Sequence, residues 1–358
     1  MHPALTSRVS RESGRSLAAC EDVAAGTLLA RLPFTCCVYS HETPSDEWSA
    51  SRQLAAALLR FAEVPGNAPV VATWPRAACA GALAPRRVLD ELQYLPLAVE
   101  ADRVRRRLCA DDDSPALAWA LNLVATRRCH VLCEEQPPGR GGSATSVIVP
   151  LFDLANHSPA PELDFEWADG CLELRCRRGV LAGSELRICY GPGDGSAHSS
   201  DQLFLTYGMH TEADDSVLLW RSDWHLLSWL MALTGAEQAD ARLNNGGAGW
   251  DSLGSWSETP FDRREWLCLT SREDGDKSVE LEVDARFQAR LVELGCEARA
   301  AELLQLRAAE LLAGFPTTCE EDEALLAALT PGSDGLRETA THIRAAKKRL
   351  LKHLIALM

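Results

Sequence analysis

Apolar and polar positions run along this chain in two rhythms, and the rhythm changes three times. From Ser16 to Ser40, "SLAACEDVAAGTLLARLPFTCCVYS", apolar runs flank the polar "EDVAAG", a pattern that predicts two short strands around a turn. Domain sequence in this reading begins by about residue 14. From about Asp46 to Leu132 the spacing is helical. "DEWSASRQLAAALLRFAEV" is dense in Ala and Leu, with a Ser45/Asp46 start and a Pro65-Gly66 stop. "SPALAWALNLVATRRCHVL" predicts another helix, with Ser114 able to cap it and Pro115 suited to its first position. "EEQPPGRGGSATS" (134–146) reads as a loop.

Strand character returns from Val147 to Phe152 and continues in "LDFEW", "CLELRCR" and "SELRICYG", with "ADG" and "VLAG" as turns. Beyond about Glu212 the helical spacing resumes. It is clearest in "DARFQARLVELGCEARAAELLQLRAAELLAGF" and in "THIRAAKKRLLKHLIALM", whose polar face reads as basic. The order is strands, helices, strands, helices. No βαβ unit repeats, which disfavours a doubly wound nucleotide fold and points to the α+β class.

Composition narrows the partners. The chain has 358 residues, 46% of them hydrophobic, enough for a sizeable core in two or three domains. A net charge of -15 argues against binding nucleic acid through phosphate contacts and suits a basic protein partner. The 13 cysteines show no Cys-x-x-Cys spacing, so reduced thiols in cytoplasm or nucleus are expected, with a plastid left open. No run approaches the ~18 apolar residues that span a membrane. No membrane association and a monomer are therefore the expectation.

Common reaction signatures are missing. There is no Gly-rich phosphate loop ahead of a helix, no Gly-x-Ser-x-Gly elbow and no His-x-x-x-His pair, so no metal is expected. The acidic "EEDE" (320–323) reads as the first turn of a helix, with Thr318 and Glu321 as its capping box. "KKRLLKH" reads as cations at a helix C-terminal end.

"VPLFDLANHSPAP" is different: Asp153, Asn156 and His157 follow directly on an apolar run, where unsatisfied polar groups are costly. By itself the stretch reads as a turn. It stands third in a series with "SGRSLAACEDVAAGTLLARLP" (13–33), "ALNLVATRRCHV" (120–131) and "GSELRICYGPGDGSAHSSDQLFLTYGM" (183–209). In that order the four segments resemble the SET-domain methyltransferases, in the branch of the Rubisco large-subunit lysine methyltransferase and the actin-histidine methyltransferase. The matching features are Gly14-Arg15-Ser16-Leu17, a helical insert, Asn156-His157-Ser158, Tyr190-Gly191 and Tyr207-Gly208. "FPTTCEEDEALLAAL" with the basic helix after it is similar to the family's C-terminal substrate-binding domain.

The resemblance implies a SET fold of short antiparallel sheets split by an insert and followed by an all-α substrate-binding domain. The expected segments are 1–40, 41–130, 131–210 and 211–358. It also implies a protein-lysine N-methyltransferase using S-adenosylmethionine on a nonhistone protein that presents a lysine. A SET-fold binding module or a histidine methyltransferase stand as alternatives. Tyr190 is the implied catalytic hydroxyl. Ser13, Gly14 and Arg15 would surround the cofactor's methionine part; Asn156, His157, Arg127 and Ser199 would complete its site. Asp153 and Tyr207 would line the lysine channel, although Asp153 equally suits a turn cap. Three positions depart from the pattern: Ser16 replaces a second glycine, Ser200 replaces an asparagine, and Arg128-Cys129 stand where the histidine-modifying branch has Gln-Asn.

Overall fold

The computed structural model describes residues 2–10, 14–40, 44–76, 80–109, 114–131, 145–190, 199–210, 216–220, 223–234, 267–273, 279–329 and 335–356. Contacts divide the chain into two units, Met1–Leu83 with Val104–His198, and Ala84–Arg103 with Ser199–Met358.

Among the described residues the first unit holds three small antiparallel sheets. β1 (Leu5–Ser10), β2 (Gly14–Ala19) and β9 (Glu185–Leu186) form one; β3 (Leu28–Pro33), β8 (Cys171–Cys176) and β7 (Leu163–Ala168) another; β4 (Val38–Tyr39), β6 (Thr145–Ile148) and β5 (Arg128–Val131) the third. The β7–β8 hairpin turns on Asp169 and Gly170, both at positive φ. Asp-Gly is the pair that tolerates this two-residue turn best.

The two strands expected around "EDVAAG" are present as β2 and β3, β2 pairing with β1 and β3 with β8. Several sequence expectations need correction here. Ordered structure begins before residue 14, because "LTSRVS" supplies β1. The helix predicted over 114–132, α5 (Pro115–Arg127), ends earlier. Arg128 is already extended, and the next residues pair with β6. Ser114 sits at the N-cap position, but its side chain makes no cap bond there. The strand read over 147–152 stops at Ile148, and Phe152–Leu154 forms a 3-10 turn. Most of the 134–146 loop lies outside the described residues.

The insert's first helix, α1 (Glu47–Glu63), follows its sequence signals closely. The Asp46 carboxylate accepts from the Ser49 N–H at 2.6 Å, and the helix stops just before Pro65. A cap of this kind stabilises by about 1 kcal/mol. Leu54 and Leu58 of α1 bury against Leu121 and Val124 of α5, with Val38 and Ile148 of the sheets in the same cluster. A short α2 (Ala68–Val71) follows, and its neighbour Trp74 closes this core.

The second unit contains α3 (Arg86–Glu91), α6 (Ser200–Tyr207), α7 (Asp223–Thr234), α8 (Ala285–Leu294), α9 (Ala300–Ala313), α10 (Cys319–Ala328) and α11 (Gly335–Ala356). Helix α4 (Leu95–Cys109) follows α3 in the chain. The helices are joined by something the periodicity did not announce, a three-stranded antiparallel sheet of β10 (Ser216–Trp220), β11 (Leu267–Glu273) and β12 (Val279–Val283). The predicted capping box is present, with Thr318 and Glu321 bonded reciprocally.

The basic stretch of α11 is the main surprise. Arg344, Lys347 and Lys348 are buried, not displayed on a polar face or at the helix end. Each is buried with an acid. The Asp322 carboxylate accepts from Arg344 Nε at 2.9 Å and from Lys348 Nζ at 2.7 Å, while Arg344 also reaches Glu91 at 2.9 Å. Lys347 pairs with Asp201 at 2.8 Å and lies over the Tyr94 ring at 5.3 Å. Buried charges persist only where such partners exist.

Candidate active site

The Asn156–His157–Ser158 turn is stitched to the strand end that carries Tyr190. Ile188 N–H donates to the Asn156 carbonyl at 2.9 Å, and Ser158 N–H donates to the Ile188 carbonyl at 2.9 Å. This parallel bridge places His157 beside Tyr190, with ring centroids 5.3 Å apart. The backbone N–H of Tyr190 donates to His157 Nδ1 at 3.1 Å, and the Tyr190 hydroxyl donates to the Ala155 carbonyl at 2.8 Å. The Nδ1 lone pair is therefore engaged, which assigns any ring proton of the neutral imidazole to Nε2. His157 orients Tyr190; as a base at Nδ1 it would have to abandon that bond.

Asn156 ties the turn to β2. Its amide donates to Glu185 Oε1 at 2.8 Å and to the Arg15 carbonyl at 3.4 Å. The Arg15 guanidinium reaches away to the insert, donating to the carbonyls of Ala72, at 3.2 Å, and Thr73. Gly14 begins β2, and Ser13 lies outside the described residues.

Asp153 and Arg127, expected on the substrate and cofactor sides, form one buried pair. Arg127 Nε stands 3.6 Å from Asp153 Oδ2, and the Asp153 side chain is only 2% exposed. Trp74 Nε1 donates to the same oxygen at 2.8 Å. Burial pushes the Asp153 carboxyl above its usual range; the Arg127 charge and the Trp74 N–H pull it back. Burial also pushes the neighbouring Cys129 thiol up to about 11, reinforced by Asp153, so it stays protonated.

Three buried polar atoms on these segments, Ser16 Oγ, Arg127 Nε and Asp153 Oδ1, have no hydrogen-bond partner within the chain. Such atoms normally find one. A further sign is the backbone of Leu151, at φ 80° and ψ -47°, immediately before the 3-10 turn. A branched residue in that region costs of order 1–3 kcal/mol and is typical of sites the fold constrains.

Ser199 and Tyr207 belong to the second unit, at the two ends of α6. Ser199 is the N-cap, in a capping box with Gln202, and Gly208 closes the helix at φ 67°. The first unit thus brings together Arg15, Asn156, His157 and Tyr190 in one bonded chain, and Arg127 with Asp153 in another. Sequence reasoning passed over Trp74, Glu185, Leu151 and the Ala155 carbonyl. Only the turn chemistry around Asn156 hinted at the last, and nothing in "VVATWPR" marked Trp74.

Among the described residues no three His, Cys, Asp or Glu side chains converge as a metal site, and no helix is long and apolar enough to cross a membrane. The described cysteines are free thiols.

Comparison with known proteins bears on the fold that carries these residues. Residues 265–351 match the family described as "Rubisco LSMT substrate-binding". The SET domain of LSMT bound to lysine and AdoHcy superposes with a TM-score of 0.61 at 15% identity, covering 99% of this chain and 86% of that one. Rubisco LSMT bound to AdoMet gives 0.60 at 16% identity, with the same coverage. The mouse "SET domain-containing protein 4" is 32% identical over 95 residues, 26% of this chain and 20% of that protein. The "Ribosomal lysine N-methyltransferase set11" of Schizosaccharomyces pombe is 28% identical over 97 residues, 27% and 23%. The alignments therefore span about a fifth of those relatives' length. The fold is the SET fold of LSMT, and residues 265–351 match the Rubisco LSMT substrate-binding model. The chain resembles the LSMT branch of the SET-domain methyltransferases, as its four motifs had indicated.

Proposed function

We propose that this chain is an S-adenosylmethionine-dependent protein-lysine N-methyltransferase acting on a nonhistone protein. One observation carries the reading: the Tyr190 hydroxyl is fixed on the Ala155 carbonyl, next to the Asn156–His157 turn, and that turn is bonded back to β2. The names of the similar proteins support the same reaction class. A reducing compartment, cytoplasm or nucleus, is part of the proposal, and so is a partner offering a lysine to an acidic enzyme.

The residues fit S-adenosylmethionine by their donor set. Asn156, the main chain of Gly14 and Arg15, and Arg127 would hold its amino-acid and adenine parts, with Ser13 and His157 as further candidates. Buried polar atoms without partners on the same segments are what a polar ligand site requires. When bound, the cofactor supplies a methyl group on a positively charged sulfur.

The chain's own contribution is alignment and charge. Tyr190 donates its proton to Ala155, and a hydroxyl that donates once can still accept, so Oη presents lone pairs at a fixed place. Preorganised acceptors of this kind stabilise charge that moves during transfer without reorganising. His157 keeps the Tyr190 backbone in register, and Asp153 would stand on the side of the lysine. Lysine must arrive neutral, which solvent can accomplish without a protein base.

Calorimetry with S-adenosylmethionine tests the reading. Micromolar binding is expected in the wild type, weakened at least tenfold in Asn156→Ala. A chain that binds the cofactor but transfers nothing would be a SET-fold binding module; one that binds no cofactor would end the proposal.

A further inference from the structure

Three consecutive residues of the insert, Ala72, Thr73 and Trp74, receive bonds from two of the elements that build the site. Arg15 on β2 donates to the carbonyls of Ala72 and Thr73, which lie just past the last turn of α2. Asp153, in the 3-10 turn beyond β6, accepts from Trp74 Nε1 at 2.8 Å. Asp153 in turn faces Arg127 at the end of α5, and Asn156 grips the Arg15 carbonyl. Residues from three separate segments, β2, the end of α5 and the 152–156 turn, are thus linked through one short piece of chain.

The indole is well placed to be a fixed point. Trp74 is 2% exposed and lies against Phe61 at 5.8 Å and Trp119 at 6.4 Å between centroids. Trp119 is itself anchored, its Nε1 donating to the Pro75 carbonyl at 3.0 Å. An indole N–H can only donate, so its partner must present an acceptor, and a carboxylate is the strongest available. Nothing about the apolar core requires that donor: a phenyl ring would fill most of the space.

We infer that Trp74 is a positioning residue of the site, its indole N–H aiming the Asp153 carboxylate at Arg127, while Arg15 keys the same segment to β2. The inference rests on the methyltransferase reading for its consequence in catalysis, and on the chain alone for its physical content. Two charged or titratable groups flank Asp153 besides the indole: Arg127, and Cys129, which stays a neutral thiol. Loss of the N–H removes one of the features that favour the carboxylate over the acid, beside the Arg127 charge and the backbone N–H groups of Leu151 and Asp153.

The test is Trp74→Phe, which keeps a stacked ring and deletes the donor. The Asp153 carboxyl is followed by carbon-13 NMR as pH is varied, in the protein without substrate. Its titration is expected to move to higher pH, and the KM for the protein substrate to rise about tenfold, with kcat and S-adenosylmethionine affinity changed less than threefold. If Trp74→Phe does not fold, benzothienylalanine at position 74 replaces N–H by sulfur at nearly constant volume. An Asp153 titration that stays in place in either folded variant overturns the inference. Because that reading uses no methyl transfer, failure of the activity alone would count against the proposed function and leave the positioning role standing.

Discussion

Two buried carboxylates, Asp153 in the first unit and Asp322 in the second, are held in contrasting ways. Asp322 is completely buried and fully bonded: Arg344 and Thr317 meet Oδ1 at 2.9 and 2.8 Å, and Lys348 meets Oδ2 at 2.7 Å. Asp153 is almost as buried, but its arginine stands 3.6 Å away, and Oδ1 and the arginine's Nε both lack a hydrogen bond. A satisfied ionic cluster fixes one packing of α10, α11 and α3. A half-satisfied pair keeps bonding capacity in reserve, which is what a site needs and a core does not.

The contrast can be broken by mutation, with stability as the first readout. Asp322→Ala leaves the buried Lys348 without a counter-charge and Arg344 with Glu91 alone, and is expected to cost about 3–5 kcal/mol in guanidinium denaturation. Replacing Asp322, Arg344 and Lys348 together by Leu, Met and Met should restore most of that loss. If Asp322→Ala is harmless, the cluster is not the clamp described here.

The two regions also differ in their response to pH. In the second unit His210 stacks on His342 at 4.3 Å, and burial, helped by His342 and Arg349, pulls its pKa down to about 4. The folded state therefore binds this proton less readily than the unfolded chain. The resulting stability is present above pH 6.5 and lost as pH falls from 6.5 to about 4, a change of about 3 kcal/mol. His210→Gln should flatten stability over that window. Asp153 acts with the opposite slope. Its raised pKa means that the folded state keeps the proton longer, so its contribution is present below the usual carboxyl range and is lost as pH rises through the raised value. The stability difference between wild type and Asp153→Asn should shift against wild type across that interval.

Smaller effects sharpen the picture. Gly208→Ala places a β-carbon at φ 67° on the cap of α6 and should cost about 1 kcal/mol in thermal or chemical melts. Asp153→Asn should change stability at neutral pH by less than about 1 kcal/mol, because Arg127 is 20% exposed and water can take over its solvation. Methyl transfer should nevertheless fall at least tenfold. A large stability loss with normal transfer would make Asp153 a core residue like Asp322.

What the sequence announced was local. Asp46 before an Ala/Leu helix, Pro65 after it, Asp169-Gly170 between two strands and Thr318 with Glu321 all act within a few residues, and each formed as read. The site motifs were legible for the same reason: Asn156, His157 and Tyr190 stand on turns and strand ends that their neighbours define. What stayed hidden depends on distant partners. Lys347 and Lys348 look like surface residues until Asp201 and Asp322 are brought to them. Trp74 looks like ordinary core until Asp153, 79 positions away, presents its carboxylate. The strands β1 and β10 to β12 were missed because short runs such as "LTSRVS", "SVLLW" and "VELEV" become strands only by pairing with partners elsewhere in the chain.

Whether the Tyr190–Ala155–Asn156 arrangement serves methyl transfer to a protein is decided by labelling. Wild-type protein and Tyr190→Phe are incubated with cell lysate and S-adenosylmethionine carrying a labelled methyl group, and labelled lysine is quantified after hydrolysis. The wild type should label lysine in a discrete protein band, and Tyr190→Phe should reduce that labelling at least tenfold while still binding the cofactor. Equal labelling by the two proteins, or none by the wild type, would contradict the account.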